Sequence, residues 1–309
     1  MLGLVACGGA PAPGAAKSPD GSAVAAGPKV LKGSRLSMWL PDGMYRGTRL
    51  LALRLDEPLL VVALAEFTGE DEAGGAQLLA GMREGAELPQ AEETTRGDAR
   101  GFIGAAPGIN GMTKQILGLK SGKTGALLVV QYQAGAEALA KRILDSVRVD
   151  EHAQLDPLQL AGISLGDFAG LEVMPTLSQP ILLVEKGARP PLSSKALRFT
   201  LVNMPYPKAD VSDEELGQML GGAIGDLKPD TERAKGSEFQ LDGRPAFFMI
   251  APGASDGEPV AIYGFIARGQ DTALVGFGHV GVASAEKDLP RIERLVQSLK
   301  FDDSVLGPR

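Results

Sequence analysis

Lys141-Arg142-Ile143-Leu144-Asp145-Ser146-Val147-Arg148-Val149-Asp150-Glu151 closes the first half of the chain. Ile292-Glu293-Arg294-Leu295-Val296-Gln297-Ser298-Leu299-Lys300-Phe301-Asp302-Asp303 closes the second. Laid side by side, Arg142 meets Arg294, Ile143 meets Leu295, Leu144 meets Val296 and Ser146 meets Ser298. Val147 then meets Leu299, Arg148 meets Lys300, Val149 meets Phe301 and Asp150 meets Asp302. Apolar positions match apolar ones and basic positions match basic ones. Register held over this length points to an internal duplication. Each half also serves as a control on any motif found in the other.

Composition narrows the function classes. The chain has 309 residues, so two domains are expected. Apolar residues make up 44 %, enough for packed cores. One Trp and four Tyr leave little for stacking platforms under bases or sugars. The net charge of −7, with no long Lys/Arg run, disfavours nucleic acid as a partner, because a phosphate backbone would be repelled on average. No apolar run reaches the roughly 18 residues of a membrane-spanning helix.

Cys7 is the single cysteine, so no intrachain disulfide can form. Leu4-Val5-Ala6-Cys7-Gly8 looks like a bacterial lipobox, in which the cysteine receives lipid and becomes the mature N-terminus. Residues 1–30 continue in Gly, Ala, Pro and Ser, a composition that cannot bury enough apolar surface to fold. Such a tether of roughly 25 residues spans about 25–30 Å at r.m.s.. Only three residues precede the motif, short of the basic start and apolar stretch of a signal peptide.

Hydrophobic periodicity and turn residues give a coarse order of parts. In residues 31–151, "RLSMWLPDGM" reads as a strand ending in a Pro-Asp-Gly turn, and "LLALRLDEPLLVVALAEF" as two strands joined at Asp56-Glu57-Pro58. "GEDEAGGAQLLAGMREG" reads as a helix with acids at its N-terminal end, where the helix dipole favours them. A turn and a strand follow over "EETTRGDARGFIGAAPG". A hairpin then turns at Ser121-Gly122-Lys123-Thr124, and a closing helix carries Leu139 and Ile143 on one face. After the connector "HAQLDPLQLA", residues 160–303 repeat the order. Ser212 and Glu215 have the spacing of a capping box. The last helix carries Ile292, Leu295, Val296 and Leu299 as its apolar face, with Asp288 as its expected cap and Pro290 in its first turn.

Each half is therefore an antiparallel sheet with two helices, an α+β pattern. The "LPDGM" near the start, the "LDGRPA" before a central strand, the short-turned hairpin and the endings "ILDSVRV" and "LVQSLKF" together resemble the PsbP-like α/β/α sandwich. LpqN-type bacterial lipoproteins and a small nuclear-import factor share that sandwich. The resemblance covers both halves as two tandem PsbP-like domains. It implies a small non-enzymatic domain, often secreted or tethered, and carries no functional residue across.

Several motifs match chemistry by letter. Gly276-Phe277-Gly278-His279-Val280-Gly281 spells G-x-G-x-x-G, but it falls inside a hairpin arm rather than in a βαβ turn. Aligning the halves sets Val129–Tyr132 against Gly276–His279, plain strand in the first copy, so the glycines are expected to serve a bulge or a close approach by another backbone. Gly122-Lys123-Thr124 lacks the first glycine of a P-loop, since position 117 is Leu117. Gly162-Ile163-Ser164-Leu165-Gly166 matches a nucleophile elbow, and Ser164…Asp271…His279 has the chain order of a hydrolase triad. Yet Ser164 sits where the first half has the strand "GSRLSMWL", not at a strand-to-helix turn. Cys7, His152 and His279 lack metal-ligand spacing. Arg96-Gly97-Asp98 reads as a turn. Asp98/Arg100 and Asp242/Arg244 are the polar pairs shared by the two halves, either turn-fixing or part of a binding edge.

The sequence thus gives no catalytic, cofactor or metal residues and one modification site, Cys7. The reading is a non-enzymatic, membrane-tethered lipoprotein of the bacterial cell envelope, acting as a binding or scaffold module. Its expected partners are an envelope protein or ligand, with membrane contact through the lipid anchor alone and no nucleic acid or cofactor. Two alternatives stay open: a serine hydrolase using Ser164 and His279, and a purely structural envelope protein.

Overall fold

The structure is a computed structural model that describes residues 29–46, 52–86, 88, 90–174, 180–188, 192–193, 196–205, 212–268 and 272–302. Cys7 and Asp271 lie outside these residues, as does the tether up to residue 28.

The first half supplies β1 (Lys29–Val30), β2 (Leu36–Met38), β3 (Tyr45–Arg46), β4 (Ala52–Leu55) and β5 (Leu60–Thr68). There follow α1 (Glu72–Gly85), β6 (Ala91–Arg96), β7 (Ala99–Pro107), β8 (Thr113–Ser121) and β9 (Thr124–Tyr132). The half ends with α2 (Glu137–Ser146) and β10 (Arg148–Val149). The connector forms the short helix α3 (Pro157–Leu160). The second half supplies β11 (Ile163–Leu165), β12 (Leu171–Met174), β13 (Ile181–Glu185), β14 (Arg198–Pro205) and α4 (Asp213–Ala223). It is completed by β15 (Lys235–Leu241), β16 (Arg244–Ser255), β17 (Glu258–Arg268), β18 (Thr272–Gly281), α5 (Ala285–Gln297) and β19 (Leu299–Phe301).

Two seven-stranded antiparallel sheets carry the fold. The first has the order β3-β4-β5-β9-β8-β7-β6 and the second β12-β13-β14-β18-β17-β16-β15. Strand for strand the two orders are the same. A small ladder flanks each sheet, β2 with β10 (and β1) in the first half and β11 with β19 in the second. The protein is thus α+β, two antiparallel sheets each with helices packed on it. Lys29 and Val30 pair with Met38 and Ser37, so the first half begins before residue 31.

Alternation decides which face of each sheet is covered. Along β5, buried and half-buried residues alternate from Leu60 to Ala65. Leu60, Val62 and Leu64 join Ala126, Leu128, Val130 and Tyr132 of β9 in one core, closed by Ala140, Ile143 and Leu144 of α2. Ile292, Leu295 and Val296 of α5 close the corresponding core of the second sheet, and Leu299, expected on the same helix face, joins it from β19 because α5 ends at Gln297. Fully burying such a side chain is worth about 1.5–3 kcal/mol. On the opposite face of the second sheet, Leu216, Leu220 and Ile224 of α4 pack on Ile262, Ile266, Ala273 and Val275. The capping box at Ser212 forms as expected: its hydroxyl accepts from the Glu215 N–H, and the Glu215 carboxylate accepts from the Ser212 N–H.

Several expectations change. The stretch expected as a turn and a strand is a full hairpin, β6 with β7. Asp288 does not cap α5. A 3-10 turn at Val282–Ser284 extends the helix backwards, so Ser284 is the cap residue and Pro290 lies beyond the first turn. Asp288 is buried instead and pairs with Arg291 at 2.7 Å. The expected match of Tyr132 with His279 is one residue out of register. Tyr132 lies in the core beneath α2, whereas in the second sheet the α5 face takes Leu274 and Val280 and leaves His279 on the α4 face. A one-residue slip exchanges the faces of a strand.

The halves touch through their ends. Lys32 pairs with Asp302. In the connector, Leu160 packs into the first core while Leu158, Ala161 and Ile163 pack into the second.

Candidate functional site

Arg198 of β14 and His279 of β18 stand opposite each other in the ladder of the second sheet. One step along, Thr200 stands opposite Phe277, and Leu182 of β13 opposite Thr200. Equal steps of two put these side chains on one face. The C-terminal end of α4 (Ala223, Ile224) and the turn at Gly225–Leu227 rise above them. The half-open pocket between them has a volume of about 390 Å³, with Pro180 and Asp226 completing its lining. The turn past α4 forms because Lys228 takes the left-handed conformation, with φ of 46°. In that turn the N–H groups of Leu227 and Lys228 donate to the carbonyls of Ile224 and Gly225.

His279 is buried, at 1 % exposure. Nη2 of Arg198 lies 3.2 Å from its Nε2 and donates to the Ser255 hydroxyl at 3.3 Å. A guanidinium has donors only, so the contact to His279 is a hydrogen bond only when Nε2 carries no proton. The Nε2 lone pair is then occupied. Arg198 makes no ion pair, and its Nε and Nη1 find no acceptor among the described residues. Behind the strand pair, Tyr263 donates to the Arg198 carbonyl, and burial pushes its phenol well above its ordinary range.

The glycine motif of β18 has a packing explanation. A Cβ on Gly276 would come within 2.2 Å of the Phe265 ring and 2.7 Å of the Phe199 ring. On Gly278 it would sit 2.0 Å from the Arg198 carbonyl oxygen and 2.5 Å from the Tyr263 hydroxyl. Phe199 stacks on Tyr263 at 5.8 Å and on Phe265 at 6.1 Å. The close approach by another backbone expected from the sequence is found at Gly278, against the Arg198 carbonyl, whereas at Gly276 aromatic side chains take the space.

The hydrolase residues are set apart. Ser164 is exposed on β11, opposite Lys300 in the small ladder with β19, whereas His279 belongs to the large sheet. Ser164 takes no part in lining the pocket that holds His279. Gly122-Lys123 is a tight hairpin turn between Ser121 and Thr124. His152 is exposed beside Glu151. Among the described residues no group of three or more His, Cys, Asp or Glu could hold a metal, and no helix is long and apolar enough to cross a membrane.

The polar pairs at the hairpin turns are not equivalent. Arg96 pairs with Ala99 around Gly97-Asp98, and Leu241 pairs with Arg244 around Asp242-Gly243. Asp98 thus matches Gly243, and Arg244 matches Ala99. Asp242 and Gly243 both have positive φ, 49° and 76°. The Asp242 carboxylate accepts from the Phe301 N–H at 2.9 Å, and the Arg244 guanidinium lies 3.9 Å over the Phe301 ring. Together they hold β19. Arg96 donates to the Leu144 carbonyl and pairs with Asp145 at 3.2 Å, at the end of α2.

No known family profile matches the chain, and no curated protein matches it. Solved structures with similar architecture include the two families that the sequence resembles. LpqN of Mycobacterium tuberculosis, described as involved in cell envelope biogenesis, matches at 13 % identity over 45 % of this chain and 83 % of its own, with a TM-score of 0.33. Cyanobacterial PsbP from Synechocystis matches at 7 % identity over 49 % of this chain and 99 % of its own, with a TM-score of 0.28. The immunity protein TplEi of Pseudomonas aeruginosa matches at 10 % identity over 88 % of this chain and 96 % of its own, with a TM-score of 0.39.

Proposed function

We propose that this chain is a non-enzymatic binding or scaffold module of the bacterial cell envelope, lipid-anchored at Cys7 ahead of a Gly/Ala/Pro-rich tether. Residues 31–151 and 160–303 form its two units, and their identical strand orders support an origin by duplication. The non-enzymatic part rests on one observation. The only histidine downstream of Ser164 belongs to the large sheet, with its Nε2 3.2 Å from an Arg198 guanidinium nitrogen, while Ser164 sits in a separate ladder. A general base needs a free lone pair within reach of the nucleophile's proton. The anchor rests on Leu4-Val5-Ala6-Cys7 and the tether composition behind it.

Fractionation of cells expressing the parent and Cys7→Ala tests the anchor. The parent should sediment with membranes and the variant should not. Equal sedimentation would remove the anchor from this reading. Labelling with a fluorophosphonate probe tests the chemistry independently. Labelling of the parent that disappears in Ser164→Ala would favour the hydrolase.

A further inference from the structure

We propose that the pocket between α4 and β13–β14–β18 binds a small monoanionic carboxylic acid with an apolar body. The carboxylate would lie on Arg198 and Thr200, and the body against Leu182, Ile224, Leu227 and Phe277. This deepens the binding-module reading but does not depend on the anchor.

Three observations carry the assignment. First, the guanidinium is fixed but unneutralised. Nη2 lies 3.2 Å from His279 Nε2 and donates to Ser255, and among the described residues Arg198 has no ion pair and its Nε and Nη1 have no acceptor. A half-buried guanidinium without an anion is poorly compensated, and its planar donor array suits a carboxylate. Second, the polar and apolar groups are placed to take the two ends of such a ligand. Arg198, Thr200 and His279 lie together on the sheet floor beside Leu182 and Phe277, while the helix side offers Ala223, Ile224 and Leu227 with Asp226. The carboxyl end of a helix repels anions. Here the 3-10 turn takes up the carbonyls of Ile224 and Gly225, which suits that side to an apolar body. Third, the volume of about 390 Å³ lies within the range of small-molecule sites. Asp226, exposed among the lining residues, disfavours a dianion such as phosphate.

The test is calorimetric titration of the whole chain with 4-phenylbutyrate, its neutral amide, the corresponding amine and inorganic phosphate. Backbone amide shifts then locate the binding. The carboxylate should bind at least tenfold more tightly than the amide, with the amine and phosphate weaker still. Shifts should concentrate at Thr200, Ala223–Leu227 and Phe277–His279. Arg198→Gln should lose about tenfold for the carboxylate and leave amide binding unchanged. Arg198→Lys keeps the charge without the planar donor array and should fall between the two, which guards against a fold defect in the first variant. Equal affinity for acid and amide, tighter binding of phosphate, shifts elsewhere, or an Arg198→Gln variant that folds and binds as the parent would each overturn the assignment. Absence of binding with membrane sedimentation intact would overturn the ligand class and leave the anchored-module reading standing.

Discussion

Ser37 and Ser164 occupy the same place in the two halves. Ser37 stands opposite Arg148 in the β2–β10 ladder, and Ser164 stands opposite Lys300 in the β11–β19 ladder. Arg148 and Lys300 are themselves equivalent in the repeated ending of the halves. The serine of the G-x-S-x-G match is therefore one of two ladder serines. Ser164→Ala should change stability by no more than about 0.5 kcal/mol, as expected for an exposed strand position. Paired urea titrations of the parent and the variant measure this. A loss of 2 kcal/mol or more would mean that Ser164 has a buried role absent from this ladder.

The second prediction concerns β18. Its glycines are read here as space for Phe199, Phe265 and Tyr263. Gly278→Ala places a methyl 2.0 Å from the Arg198 carbonyl, part of a neighbouring strand that cannot rotate away. Overpacking typically costs about 1–3 kcal/mol, and the upper end or more is expected here. Gly221→Ala in α4 is the control. A Cβ there meets nothing within 4 Å, so helix propensity alone should leave the protein as stable or up to about 1 kcal/mol more stable. Denaturant midpoints that rank the two variants in the opposite order would refute the packing account.

The parts that sequence exposes are those with local periodicity. Leu60 to Ala65 form a continuous apolar run of strand length, Ile292, Leu295 and Val296 recur on one helix face, and Ser212 with Glu215 forms a cap from four consecutive residues. Each can be read because its partners lie within one element. Register between distant strands has no such local mark. The match of Tyr132 with His279 fails by one residue because both strands are apolar on both faces. The pocket is hidden for a related reason. Arg198 and His279 are 81 residues apart in sequence, and only the pairing of β14 with β18 brings them together. A lone histidine in a glycine-rich strand gives no sign of an arginine beside it. Asp288 and Arg291 were within reach, since three residues apart on a helix they must be neighbours.

Glu66 yields a pH prediction. It is buried at 5 % exposure and accepts from the Ser34 hydroxyl and the Arg35 N–H at 3.0 Å. Burial is the largest influence and raises its carboxyl above the ordinary value of 4.5, against the opposing pull of those donors and the Arg35 guanidinium. The folded chain therefore keeps this proton to higher pH than the unfolded chain. Its stabilising contribution is complete below the unfolded value and is lost as pH rises through the folded value. Glu66→Gln cannot titrate, and its amide can accept from the Arg35 N–H through its one oxygen while its NH2 donates to the Ser34 hydroxyl. The stability of the parent relative to Glu66→Gln should therefore fall as pH rises from about 4 to 7. Urea unfolding of both proteins across that range measures it. A difference that is flat or grows with pH would reverse the sign argued here.

The final prediction concerns the two units. Leu295 of α5 is fully buried in the second core, where it packs with Ile292, Val296 and Leu299. Ile143 is its counterpart in the first core. Truncating a buried leucine to alanine costs about 2–5 kcal/mol, a large share of a domain's stability. A carboxylate at the same place costs at least as much, because it would be buried without a partner. Leu295→Asp should therefore unfold residues 160–303. The first half keeps its own core of Leu60, Val62, Leu128, Val130, Ile143 and Leu144. It should survive limited proteolysis as a fragment ending near His152. The Lys32–Asp302 pair and Leu160 join the halves at their ends, so the fragment should be somewhat less stable than it is within the intact chain. The converse variant, Ile143→Asp, should leave the second half as the resistant piece. If either substitution instead melts the whole chain in one cooperative step, the halves share a single folding unit and the boundary between residues 151 and 160 has no thermodynamic meaning.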